Sequence, residues 1–208
     1  MQIEKNSRQV PKAPEFLANK KYCDILYCYF QTISSWDEVE GHPRYFSKKD
    51  KNFSKIAAAL GLSRQTVSSR FASLEQMGLI KEDKVNERYE LLILAEDIAS
   101  LIPAETVRIL VNTMNENTIS VYVYLLNRYY ATICNNKQEF IFTKEQLKTV
   151  IGISAATRSN DYIIDDKLKV LQKLGLLEYE SRDEKDKFTG DIKSHLYVTK
   201  MKNKIENC

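Results

Sequence analysis

The sequence predicts a mainly α fold with small β-hairpin wings, an α+β class laid down twice in tandem. Three observations carry that expectation. Two stretches, residues 53–80 and 142–177, repeat one order of signals: short helix, Gly, longer amphipathic helix, then Gly and two aliphatics. The first glycines of the copies, Gly61 and Gly152, lie 91 positions apart, and the second, Gly78 and Gly175, lie 97 apart. The second copy therefore carries six extra residues between its glycines. The 208 residues hold only 6 Gly and 4 Pro, too few for a turn-dense all-β chain. Finally, 43% of the residues are hydrophobic, which supplies real cores and excludes wholesale disorder.

Taken in order, residues 1–15 are polar and read as a flexible arm. They lack an apolar stretch of signal-peptide length, so export is not expected. From Tyr22 to Ile33 the apolar residues Ile25, Leu26, Tyr29 and Phe30 recur at helical spacing. The segment FSKIAAAL predicts a second, short helix. Ser63 is placed to cap a third, on which Val67, Phe71 and Leu74 follow i, i+4, i+7 and face the core. Gly78 supplies the positive φ that stops this helix. KEDKVNE followed by RYELLIL then reads as a two-stranded hairpin around a charged tip.

A boundary is expected near Ala95 to Ser100. A helical connector follows, with Pro103 in its first turn. From Ile119 to Ile133, Val121, Leu125, Leu126 and Tyr129 mark a helix. The second Gly-bounded pair of helices comes next, and then the hairpin formed by EYESRDEKDKFTGDIK and SHLYVT. Helix, helix, turn, helix and two-stranded wing, twice over, is the plan of two tandem winged-helix domains. We expect them at 16–97 and 98–200, with a basic tail at 201–208.

The third helix carries the chemistry. With Val67, Phe71 and Leu74 inward, the opposite face shows Gln65, Ser68, Ser69, Ala72 and Gln76, flanked by Arg64, Thr66, Arg70 and Ser73. Gln bonds adenine through two atoms, Arg bonds guanine likewise, and Ser or Thr suits either. Ser63, Arg64, Gln65, Thr66, Ser68, Ser69 and Arg70 are thus the candidate base-reading set. Arg44, Lys48, Lys49, Lys51 and Lys55 precede or open the supporting helix against one acid, Asp50. With Lys84 and Arg88 of the first hairpin they form the candidate phosphate set. An ordinary solvated helix face is the competing account.

In the second copy, Ile164, Leu168 and Leu171 take the inward places. Tyr162, Asp165, Asp166 and Lys169 then face out, with Asp161 beside them. Carboxylates repel a phosphate-lined groove, so direct helix entry is unfavourable. The inserted residues offer Thr157, Arg158, Ser159 and Asn160 instead, with Lys185 and Lys187 on the hairpin as further candidates. This unit either touches DNA through those residues or pairs subunits and docks a protein. The twelve tyrosines fall largely at core spacing, as Tyr22, Tyr29, Tyr122 and Tyr129 do, and read as packing rather than a stacking platform.

Much is excluded. Net charge is +3, too mild to prove a nucleic-acid partner, so its distribution decides. Cys23, Cys28, Cys134 and Cys208 form no C-x-x-C pair, and His42 and His195 lie far apart, so no zinc site is expected. No phosphate-binding glycine loop, dinucleotide fingerprint, H-E-x-x-H or nucleophile elbow occurs, and no enzyme, cofactor or small-molecule ligand is expected. No run is long and apolar enough for a membrane span.

LGLSRQTVSSRFASLEQMGLI resembles the recognition segment of bacterial winged-helix DNA-binding proteins. LIPAETVRILVNTMNENTISVYVYLLNRYY with EFIFTKEQLKTVIGIS resembles the winged-helix module of plasmid and phage replication initiators of Gram-positive bacteria. The aspartates of the second recognition helix depart from a DNA-reading pattern. The resemblance implies a cytoplasmic, bacterial or mobile-element protein that binds double-stranded DNA as a homodimer. Its role is then that of a transcriptional regulator or an origin-binding initiator. A protein-interaction module that keeps the fold without binding DNA, such as a phage-encoded inhibitor, is the alternative.

Overall fold

The computed structural model describes residues 7–11, 23–35, 44–91, 99–115, 117–135, 140–185, 190 and 192–203. Its first half opens with β1 (Ser7–Pro11) and α1 (Cys23–Ile33), then β2 (Arg44–Ser47) and a 3-10 turn at Lys48–Asp50. It continues with α2 (Phe53–Leu60), α3 (Arg64–Gln76), β3 (Ile80–Asp83) and β4 (Arg88–Leu91). The second half opens with β5 (Ala99–Pro103), α4 (Ala104–Asn112), α5 (Thr118–Cys134) and β6 (Phe140–Phe142). Next come α6 (Lys144–Val150), a 3-10 turn at Arg158–Asn160, α7 (Asp161–Lys173), β7 (Leu177–Lys185) and β8 (Ile192–Met201).

The ends of α3 and α7 match at the level of single hydrogen bonds. At the end of α3, Gly78 has φ 68°. Leu79 N–H donates to the Leu74 carbonyl at 2.9 Å, and Gly78 N–H donates to Glu75 at 3.0 Å. At the end of α7, Gly175 has φ 65°. There Leu176 N–H donates to Leu171 at 3.0 Å and Gly175 N–H to Gln172 at 2.9 Å. Both are Schellman closures, in which a left-handed residue lets two amides satisfy the last orphan carbonyls. Caps match too. The Asn52 side chain accepts from Lys55 N–H at the start of α2, and Thr143 accepts from Gln146 N–H at the start of α6.

The sheets correct the sequence reading. Each hairpin wing is part of a three-stranded antiparallel sheet, ordered β2-β4-β3 in the first half and β6-β8-β7 in the second. The strand ahead of each helix pair lies on the last strand of its sheet: Phe46 faces Tyr89, and Phe142 faces Leu196. The segment 7–11, expected in a flexible arm, is instead a strand paired with β5, and Val10 is buried. The expected helical connector likewise begins as strand β5, and its helix starts only at Ala104. Pro11 and Pro103 each end their strand, where a missing N–H costs no ladder bond. Part of the expected boundary, residues 95–98, lies outside the described residues. In the expected tail, Met201 is buried in β8, and the Lys202 carbonyl accepts from the Tyr122 hydroxyl at 2.9 Å.

Val67, Phe71 and Leu74 are at most 1% exposed, as their spacing requires. Phe71 meets Phe30 of α1 and Tyr89 of β4 edge-on, with ring centroids 5.6 Å and 5.3 Å apart, while Phe46 stacks on Phe30 at 4.3 Å. Truncating so central a ring costs about 3–5 kcal/mol. The second half fills the same space with aliphatics, among them Leu147, Ile164, Leu168 and Leu171. α1 packs on α4, and one cluster of buried residues runs from Val10 to Met201.

Candidate nucleic-acid interface

α3 is held from behind and open in front. Its start is fixed by Ser63, whose hydroxyl accepts from Thr66 N–H at 3.0 Å and lies 2.8 Å from the Thr66 hydroxyl. That oxygen is spent on the helix cap, which stabilises the helix by about 1 kcal/mol. The outward face is as the spacing predicts. Arg64, Gln65, Ser68, Ser69 and Ala72 are exposed, and Thr66 is half-buried. Among the described residues, no side chain bonds or pairs with Arg64, Gln65, Ser68 or Ser69. An acid-free row of adaptable donors and acceptors therefore faces solvent.

Arg70 does not belong to that row. It is 8% exposed, on the inward stripe with Val67, Phe71 and Leu74. The signal was present in the spacing: position 70 is three beyond Val67 and four before Leu74, which places it on the buried edge. Arg44 is corrected likewise. It is 7% exposed, and its Nη2 donates to the Ser7 carbonyl at 3.1 Å. Loss of water, and then the nearby Arg8, pull its pKa down to about 10. It stays charged at neutral pH but acts as a strut between β2 and β1.

The remaining basic set divides by environment. Lys51 Nζ donates to the Tyr89 hydroxyl at 2.7 Å and lies 4.2 Å from the Phe71 ring centroid and 4.6 Å from that of Tyr89. A cation so caged faces rings, not phosphates. Lys48 pairs with Glu82 of β3 at 2.7 Å, and this bond raises its pKa. Arg88 bonds Asp83 at 3.1 Å and Glu90 at 3.0 Å, with its guanidinium 4.5 Å from the Tyr45 ring. Lys49, Lys55 and Lys84 are exposed, with ammonium groups not held by another side chain among the described residues. Lys81 on β3 joins them and was missed. The alternation of Ile80 inward and Lys81 outward was its signal.

The wing between β3 and β4 turns on Asp83. One carboxylate oxygen accepts from Val85 N–H at 3.1 Å and Asn86 N–H at 3.2 Å. The other takes the Asn86 side chain at 2.6 Å and Arg88 Nε at 3.1 Å. These bonds hold the Asp83 carboxyl below its ordinary range, with the Asn86 side chain first among the causes. Lys84 and Val85 project from the apex.

The second half is arranged differently. Tyr162, Asp166 and Lys169 are exposed on α7 and Asp165 is half-buried. The three carboxylates expected to repel a phosphate each have a partner inside the molecule. Asp161 pairs with Lys148, Asp165 with Lys144 at 2.7 Å, and Asp166 accepts from the Asn115 amide. Thr157, Arg158 and Ser159 are exposed and Asn160 is half-buried. Their turn hangs on Lys148, a fully buried lysine that donates to the carbonyls of Ala155 at 3.3 Å and Thr157 at 3.0 Å. Lys185 is exposed at the end of β7, and Lys187 lies outside the described residues.

Among the described residues no three His, Cys, Asp or Glu converge as a metal site, and no helix is long and apolar enough to cross a membrane. Residues 50–81 match the family model for winged helix-turn-helix DNA-binding domains. The match runs from the 3-10 turn through α2 and α3 into β3, the part of the chain that presents the exposed row Arg64, Gln65, Ser68 and Ser69. This segment is a winged helix-turn-helix DNA-binding domain. No curated protein and no solved structure matches the chain.

Proposed function

We propose that the protein is a sequence-specific transcriptional regulator that reads duplex DNA with α3 and is built from two tandem winged-helix units. The observation that carries this reading is the exposed row Arg64, Gln65, Ser68 and Ser69, whose side chains are held by no other side chain among the described residues and include no carboxylate. Such a row offers donors and acceptors to base edges, while Lys49, Lys55, Lys81 and Lys84 stand available for the flanking phosphates. A homodimer would set two copies of α3 about 34–36 Å apart and require a palindromic site.

Selection of bound duplexes from a random pool, followed by mapping of the enriched sequence onto the genome, tests this. One motif should emerge, and its occurrences should overlap promoters. Replacing Gln65 by Ala should cost roughly 1–3 kcal/mol on that motif and far less on random DNA. A pool that stays unenriched after repeated rounds rejects sequence-specific reading.

A further inference from the structure

The two halves insert chain in different places. Between β2 and α2 the first half runs through residues 48–52, whereas between β6 and α6 the second half has Thr143 alone. The first-half segment lies against the last strand of its sheet. Lys48 N–H donates to the Glu87 carbonyl at 3.1 Å, and Lys51 Nζ reaches the Tyr89 hydroxyl. Lacking such a segment, the second half keeps a cleft of about 650 Å³ between the first turn of α6 and strand β8. Thr143, Lys144, Ser194 and Leu196 line it, together with Arg158 of the inserted turn.

We propose that this cleft seats a backbone phosphate of the duplex read by α3. The inserted turn, not the face of α7, is then the second half's contact with DNA. The inference rests on the DNA-reading role of the first half. One uncommitted guanidinium, Arg158, and two hydroxyls, beside a Lys144 already paired with Asp165, are donor types that phosphate oxygens take in protein–DNA contacts. Arg158 is exposed and unclaimed by any other side chain among the described residues.

Of the acids bordering the cleft, Asp161 is neutralised by Lys148, which leaves Glu145 facing solvent. The buried Lys148 also fixes the turn through two carbonyls, so Arg158 is presented on a preset support. On α7 itself Asp166 remains exposed, which opposes entry of that helix into a groove.

The test uses the full chain and two duplexes: the selected site alone, and the same site extended by 20 base pairs of unrelated sequence on each side. On the long duplex Arg158→Ala should flatten the log–log salt slope by about 1, shrinking the affinity loss between 50 and 200 mM salt about fourfold. Arg158→Lys should restore the slope. On the short duplex wild type and Arg158→Ala should bind alike. Hydroxyl-radical footprints should lose one protected backbone patch in the alanine variant.

If Arg158→Ala is silent on the long duplex while Lys49→Ala still flattens the slope, this assignment falls and the α3 reading stands. Failure of wild type to bind any duplex removes both. Arg158-dependent thermal stabilisation by inorganic phosphate, with the DNA slope unchanged, would give the cleft to a free phosphate compound and overturn the DNA assignment.

Discussion

The ammonium of Lys51 sits where α2, α3 and β4 meet, and its neighbours there are aromatic rings and a hydroxyl. Lys49, two residues earlier, is exposed on the 3-10 turn. One short basic run therefore sits in two kinds of environment, and salt dependence would separate their roles. Lys51→Met should leave the log–log salt slope of DNA binding unchanged while lowering stability by about 1–2 kcal/mol, read from urea denaturation. Lys49→Ala should do the reverse, flattening the slope by about 1 with little effect on stability. A flattened slope in Lys51→Met would return Lys51 to the phosphate-contacting set.

Among the elements, the helices were legible because their signals are local. Val67, Phe71 and Leu74 announce α3 through its period, and the two Gly-bounded ends announce themselves through residues only positive φ favours. The strands β1, β2 and β6 were not legible. They span five, four and three residues, too few for a period, and each owes its existence to a distant partner, as when Arg44 meets Leu91.

The candidate interface was legible in the same uneven way. The exposed row of α3 followed from helical spacing, but the burial of Arg44 and the caging of Lys51 depend on rings and carbonyls brought from elsewhere in the chain. The two glycine closures can be compared directly. Gly78→Ala and Gly175→Ala should each destabilise by roughly 1–2 kcal/mol, since nothing crowds an added Cβ and the backbone alone carries the cost. Differential scanning calorimetry of the two variants checks it, and a neutral result at either position would deny that closure its role.

At the scale of the whole molecule, the packing of α1 on α4 and the pairing of β1 with β5 join the halves through a shared core. Unfolding should accordingly be a single cooperative transition, with circular dichroism and amide exchange in α3 and α7 giving the same midpoint. Two separated midpoints would show that the halves fold independently.

The pairing of β1 also sets a schedule for the ribosome. Pro11 lies opposite Ala99 and Ser7 opposite Pro103, so β1 is made at least 88 residues before its partner. At about 5–20 residues per second that is a wait of roughly 4–18 s, longer than a helix needs to form by many orders of magnitude. During synthesis the first half can assemble its helices early, yet its first strand stays open until the second half has begun to emerge.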